Sequence, residues 1–289
     1  MTGIPKKGEF HSVREMDILF LQSPNQATNR ANAQHGLSSR FTKRPPMSGR
    51  NKLQKFAKIL QMPNVYESFQ PTQPELTGVN GAKVDLRGKW AAEHFQNDRP
   101  ITLELACGRG EYTLDLARQY PDRNFIGVDI KGARIYQGAT TALAEPLPNA
   151  AFLRTRIEVI GHFFAENEVE EIWITFPDPF LKKGKENRRL TAAQFLKQYR
   201  RILQPDGVVH LKTDSRELYD WSLESLARQP AVKLEYHDDD IYSKALPIPE
   251  LATETYYERM HKDMGKTITY LRFHFGDGQV IGGRGMPTR

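Results

Sequence analysis

Between Ile101 and Thr213 five short apolar runs recur: 101-ITLELAC-107, 124-NFIGVDI-130, 151-AFLRTR-156, 170-EEIWITF-176 and 207-GVVHLKT-213. Segments with helical spacing of apolar residues follow them, at 111–120, 133–144, 157–165, 191–203 and 216–229. Strands joined by such helices are expected to form right-handed βαβ units and a parallel sheet buried between two helical layers. Two later runs, 232-VKLEY-236 and 267-TITYLRFHF-275, have no long helix between them and are expected to pair antiparallel at one edge. The expectation is an α/β chain with a Rossmann-like, doubly wound, mostly parallel seven-stranded sheet. Helices cover both faces, and one edge strand is antiparallel.

The remainder of the 289 residues bounds the possibilities. Residues 1–50 are rich in Asn, Gln, Ser, Pro and basic side chains, so a disordered extension is expected there. The basic, Ser-containing character of that stretch is that of a transit peptide, but Glu9, Glu15 and Asp17 argue against one. A helical pattern starts at 51-NKLQKFAKIL-60, and 63–80 reads as a loop. The domain is expected over 51–275, with a Gly-rich flexible tail at 276–289. The formal net charge of +6 favours an anionic partner such as nucleic acid. Cys107 is the single cysteine, which excludes an internal disulfide and suits a small core residue better than a nucleophile. No apolar run is long enough to span a membrane, and the eight His form no metal-binding pattern.

The first strand ends in 103-LELACGRGEY-112, directly before a helix. Gly108 and Gly110 allow a tight turn and close backbone approach, and the helix N-terminus behind them favours polar or anionic groups. Asp129 ends the next strand, where an acid can accept hydrogen bonds from ribose hydroxyls. A dinucleotide fingerprint would need a third Gly where Thr113 stands, which disfavours an NAD-dependent oxidoreductase. With Glu104 in front, the stretch instead resembles the E/D-x-x-x-G-x-G motif of S-adenosylmethionine-dependent methyltransferases. A carboxylate there is placed to receive the cationic end of the methionine moiety, directly or through water; the alternative is a buried acid capping loop amides.

The fourth strand ends in 175-TFPDPF-180. Two prolines restrict the backbone around Asp178 and hold it in an extended turn. In a doubly wound sheet this strand end lies beside the first, where ligands bind. The basic run 182-KKGKENRR-189 follows at once, and phosphate contact is the expectation for it.

The segment 175-TFPDPFLKKGKENRRLT-191 resembles the signature of the tRNA (guanine-N7-)-methyltransferases: F-P-D-P-W, a Lys and a basic stretch before a helix beginning R-L-T. The likeness continues through 211-LKTDSRELYDWSLES-225 and 255-TYYE-258, and covers about residues 50–275. It implies S-adenosyl-L-methionine as cofactor and tRNA as partner. It also implies methyl transfer to N7 of a guanosine in the variable loop, position 46, in the cytoplasm. Residue by residue, it implies cofactor contacts at Glu104, Gly108, Gly110, Asp129, Arg156 and Asp178, with Asp178 also the catalytic residue. Substrate contacts fall on Lys182, Lys185, Arg188, Arg189, Asp214, Thr255, Tyr256, Tyr257 and Glu258. Bacterial members act without an accessory subunit, whereas eukaryotic ones pair with a WD-repeat protein. A short chain without long insertions leans bacterial, as a monomer or homodimer.

Three departures stand out. Phe180 replaces the usual Trp and keeps only an aromatic face. Arg156 stands where many members carry an acidic or amide residue near the adenine. Residues 1–46 have no counterpart, which makes Met47 the expected natural start; a natural protein whose mass begins earlier would refute this. Phe180, Tyr256 or Tyr257 are candidates to stack on a flipped-out guanine. Lys212 reads as a phosphate contact, with a surface lysine of no role as the alternative, and His210 as a residue packed in the sheet. The rival readings are a different class I methyltransferase acting on a nucleic-acid amino group, whose D-P-P-[FYW] motif the chain does not complete, and a non-catalytic RNA-binding protein of the same fold.

Overall fold

The computed structural model describes residues 54–276, residues 56 and 71 excepted. The expected extension 1–50, the first residues of the helix expected from 51, and all but the first residue of the tail lie outside the described residues. The parallel strands are β4 (Ile101–Leu105), β5 (Asn124–Asp129), β6 (Ala150–Arg154), β7 (Val169–Thr175) and β8 (Leu203–Thr213). Every residue of β4 and β5 is buried, on both faces, the polar Thr102, Glu104, Asn124 and Asp129 included.

Helices α1 (Glu111–Gln119) and α2 (Gly132–Ala144) cover one face, where Tyr112 and Ile135 pack with Phe152 and Trp173. Helices α3 (Ala193–Ile202) and α4 (Arg216–Ala227) cover the other, where Phe195, Tyr199 and Leu218 pack with Leu103 and Ile172. The strand order runs β6-β5-β4-β7-β8, so the chain reverses its direction of travel between β4 and β7. A crevice outside the carboxyl ends of these two strands is the geometric consequence.

Beyond β8 lie β10 (Thr269–Phe275) and β9 (Val232–Asp238). The two pair antiparallel, and β10 lies inside, antiparallel to β8 as well. At the opposite edge the sheet is wider than the seven strands expected. Strand β1 (Val65–Glu67) runs parallel to β6 with Val65 opposite Phe152, and β2 (Leu76–Thr77) and β3 (Lys83–Val84) follow it, making ten strands. Segments of two or three residues carry no period-two pattern, so 63–80 read as loop. The helix expected over 157–165 is instead a 3-10 turn, Ile157–His162. Gly161 weakens helical propensity there, while Phe163 and Phe164 are drawn into the core.

The C-terminal helix α5 (Tyr256–Asp263) is fastened to the sheet by a buried ion pair. Lys212 Nζ lies 2.7 Å from Glu258 Oε1, and both side chains are 0% exposed. Lys212 also donates to the carbonyls of Leu251 and Thr253, and Tyr242 Oη donates to Glu258. Burial pulls the Lys212 ammonium down, Glu258 opposes it, and the net displacement is downward. Lys212 is therefore a structural strut rather than the phosphate contact expected of it.

Removing one partner of such a pair strands the other charge away from water. Lys212→Met is expected to destabilise the chain by about 3–5 kcal/mol in urea unfolding. Adding Glu258→Leu to it should recover part of that loss. A double variant as unstable as the sum of the two singles would show that the pair itself is not the strut.

Candidate active site

Along β4 the side chains of Leu103 and Leu105 join the core under α3 and α4, so Glu104 faces α1. The Glu104 carboxylate is 4% exposed. It accepts from Thr113 N at 2.8 Å and from Thr113 Oγ1, and Thr175 Oγ1 donates to its other oxygen at 2.6 Å. One acid thus joins the first turn of α1 to the end of β7, three residues before Asp178. All its partners are uncharged. Burial pushes its pKa from an ordinary 4.5 to about 7, against the lowering effect of the threonine hydrogen bonds. This is the loop-capping geometry weighed for Glu104 as the alternative; the carboxylate lies beneath the loop and does not line the adjacent cavity.

The loop itself turns through left-handed backbone at Ala106, Gly108 and Gly110. Gly110 caps α1 with φ +68°, and a Cβ there would stand 2.4 Å from the Phe152 ring. A Cβ on Gly108 would point into open space, with Arg134 at 4.0 Å as its nearest neighbour. Asp129 braces the loop: Oδ2 accepts from Gly108 N at 2.9 Å and Oδ1 from Lys131 N at 2.7 Å. Each oxygen retains a lone pair.

A cavity of about 310 Å³ opens in front of this loop, at the crevice between the ends of β4 and β7. Asp129, Arg156 and Asp178 line it, as do Lys131, Arg134 and Arg188. Ile130, beside Asp129, leaves 48% of its surface uncovered at the same wall. Asp178 is exposed and takes no hydrogen bond or ion pair among the described residues. Residues 177–180 belong to no helix or strand, as the prolines require. They are bracketed by Phe176 at φ +47° and Phe180 at φ +44°. Left-handed backbone at bulky residues costs about 1–3 kcal/mol each, and both phenylalanines line the cavity with Ala106.

The basic run divides. Lys182, Lys185 and Arg188 are exposed. Arg188 lays its guanidinium over the Phe180 ring at 4.6 Å, so that aromatic face is already covered. Arg189 is 6% exposed, stacks on Trp221 at 4.8 Å, and donates to the Pro179 and Phe180 carbonyls. It holds the Asp178 turn from behind and is not presented to a substrate, contrary to expectation. Thr255 and Glu258 are corrected likewise. They form the capping box of α5, and Glu258 is consumed by Lys212. Tyr256 and Tyr257 stand exposed, edge to face at 5.6 Å, with Arg109 over Tyr256. They adjoin α1 through the Tyr256 N–H to Glu111 bond and do not line the cavity.

Asp214, at the end of β8, is held by Lys266 at 2.6 Å and lies 3.1 Å from His261 Nδ1. His210 stacks on Trp173 at 3.9 Å inside the sheet, as its strand position suggested. Cys107 is buried, and burial pushes its thiol well up, so it is an inert core residue. Arg156 is half exposed and 3.8 Å from Glu158. Thr175, Lys131, Arg134 and His261 did not stand out in the sequence. Only the position of Thr175, directly before the F-P-D-P-F run, was a signal available in advance.

These features fit S-adenosylmethionine. A glycine offers open space for close approach, a strand-end acid keeps lone pairs for hydroxyls, and an uncovered isoleucine offers an apolar wall. Among the described residues no group of three or more His, Cys, Asp or Glu could hold a metal ion, and no helix is long and apolar enough to cross a membrane.

Comparison with known proteins agrees with the geometry. A family model described as "Putative methyltransferase" matches residues 98–271. The chain is 47% identical over 227 residues to the tRNA (guanine-N(7)-)-methyltransferase of Christiangramia forsetii, covering 78% of this chain and 99% of that protein. It is 45% identical to the enzyme of the same name from Bacteroides thetaiotaomicron, covering 81% and 89%. Among solved structures, the 16S rRNA (adenine(1408)-N(1))-methyltransferase from Catenulisporales acidiphilia superposes with a TM-score of 0.51 at 17% identity, over 68% of this chain and 96% of that one. That likeness concerns the fold alone.

Glu104 has a consequence for stability. Between pH 4.5 and about 7 the folded chain keeps a proton that the unfolded chain releases. The stability this proton contributes is complete below pH 4.5 and is lost as pH rises through 7. Glu104→Gln removes the ionisation. It is expected to match the parent at pH 4 and to exceed it by on the order of 3 kcal/mol at pH 8, in urea unfolding without cofactor. Parallel pH profiles for the two proteins would contradict a raised pKa.

Proposed function

The chain belongs to the tRNA (guanine-N(7)-)-methyltransferase family, and on that footing we propose that its target is the guanosine at position 46 of the tRNA variable loop. The reaction is transfer of a methyl group from S-adenosyl-L-methionine to guanine N7. The observation that carries the catalytic reading is Asp178. It is an unpartnered carboxylate fixed between two prolines and two left-handed phenylalanines at the mouth of the cavity.

S-adenosylmethionine supplies a sulfonium-bound, electrophilic methyl group. Gly108 and Gly110 would allow close approach of the backbone, Asp129 would receive the ribose hydroxyls, and Glu104, capping the loop from beneath, would meet the ammonium end through water. Ile130 and the stem of Arg156 wall the adenine. Guanine N7 carries a lone pair and no proton, so no general base is required. The task of the site is in-line placement and exclusion of water. The methylated base is cationic, and Asp178 stabilises that developing charge. Asp214 shares recognition of the base. Lys182, Lys185 and Arg188 meet the phosphates, and Tyr256 and Tyr257 offer a stacking surface. We place the protein in the cytoplasm, as a monomer or homodimer without an accessory subunit.

The test is methyl transfer from labelled S-adenosylmethionine to unmodified tRNA, followed by nucleoside analysis. Label is expected in 7-methylguanosine at position 46. Asp178→Ala should reduce kcat/KM by about 10²-fold or more, with cofactor binding retained. Label in another nucleoside would overturn the substrate. tRNA binding without any transfer would favour a non-catalytic binding protein.

A further inference from the structure

Asp214 does not itself line the cavity, but it stands at the end of β8, the neighbour of the strand that carries the Asp178 turn. It follows β8 directly and precedes Ser215, whose side chain caps α4, so its backbone is fixed from both sides. Its side chain is 16% exposed, and two cationic or potentially cationic groups converge on the same oxygen, Oδ2. Lys266 Nζ donates to it at 2.6 Å from the loop after α5. His261 Nδ1, on α5 itself, stands 3.1 Å away. Oδ1 takes no hydrogen bond among the described residues.

The same histidine reaches toward the catalytic turn. Its ring lies 6.3 Å from that of Phe176, the left-handed residue that opens the Pro177–Asp178–Pro179 segment and lines the cavity. Phe176 N in turn donates to the carbonyl of Lys212, two residues before Asp214. The strand ends carrying Asp178 and Asp214 are therefore tied side by side, and His261 touches both. A lone carboxylate at a strand end would rotate about χ1 and χ2, and holding it in one rotamer carries an entropic cost. Lys266 donates to Oδ2 and the His261 ring stands against the same oxygen, which restricts that freedom in advance and leaves Oδ1 without a partner among the described residues.

We propose that His261 and Lys266 are positioning residues for the substrate base. They hold Oδ2 of Asp214 so that Oδ1 alone is offered to the N1–H and N2–H donor edge of the target guanine. The inference rests on the reading of Asp214 as a base-recognition residue. It assigns the two groups that make this acid selective, and gives the C-terminal helix a part in recognition through an inward-facing side chain rather than through its exposed tyrosines. Carboxylates are acceptors only, so a fixed Oδ1 favours guanine, which presents donors at that edge, over adenine, whose N1 is an acceptor.

Steady-state kinetics on full-length protein with unmodified tRNA tests this. His261→Ala and Lys266→Met are each expected to raise KM for tRNA by about tenfold while kcat changes by less than about threefold. Affinity for S-adenosylmethionine, measured by calorimetry, should stay at the parent value. His261→Asn places an amide nitrogen near the position of Nδ1 and should return KM to within about threefold of the parent. Asp214→Ala is the reference, and adding His261→Ala to it should raise KM no further. If Asp214→Ala raises KM and His261→Ala lowers only thermal stability, the histidine is mere packing and the proposal fails with the reading of Asp214 intact. If Asp214→Ala leaves KM unchanged, Asp214 does not read the base and the clamp has nothing to position.

Discussion

The site depends on one buried carboxylate. Glu104 takes a backbone and a hydroxyl donor from Thr113 and a hydroxyl donor from Thr175, and so ties the helix behind the glycine loop to the strand that delivers Asp178. Neighbouring parallel strands fix the register, with Glu104 opposite Trp173 and Leu105 opposite Ile174. The hydrogen bonds add what register alone does not, a common reference for two loops that must hold a cofactor and a base within bonding distance. An acid in that place is costly, since it is buried, its hydrogen-bond partners are neutral, and the Asp129 carboxylate lies near it. The cost is visible as a carboxyl pushed to about 7, and a cationic ligand end arriving at the loop would relieve it.

Around this node the backbone strain is concentrated at the cavity. Ala106, Phe176 and Phe180 adopt left-handed backbone, and all three line the same cavity. Such conformations persist only when their surroundings over-determine them. The surroundings here are identifiable. Arg189 holds the Pro179 and Phe180 carbonyls from behind, Lys212 offers its carbonyl to Phe176, and the Lys212–Glu258 pair anchors α5 to the same strand. The turn that carries Asp178 is thus braced by Arg189 and by the strand end at Lys212, while Asp178 itself is left exposed and unpartnered among the described residues.

Much of this could be read from the chain, for physical reasons. Strands buried on both faces are rich in apolar residues, so β4 to β8 stood out, and the glycine loop and the two prolines are local signals whose meaning does not depend on distant residues. The failures share the opposite property. Nothing local separates Arg189 from Arg188, yet Trp221 and two carbonyls bury one and leave the other in solvent. Lys212 and Glu258 each look like surface charges until a partner 46 positions away is brought to 2.7 Å. Strands β1 to β3 are too short to show a period; β1 pairs with the edge of β6, and β2 and β3 add on to it in turn.

The measurement that tests the central role of Glu104 most directly is proton release on cofactor binding. Calorimetric titration of S-adenosylmethionine at pH 7 in two buffers of different ionisation enthalpy reads it. An ammonium group reaching a carboxyl with a pKa of about 7 should lower that pKa and expel roughly half a proton per site. The release should vanish in Glu104→Gln. An observed binding heat independent of buffer in the parent protein would mean that the cofactor never engages this acid, and that Glu104 only braces the loop.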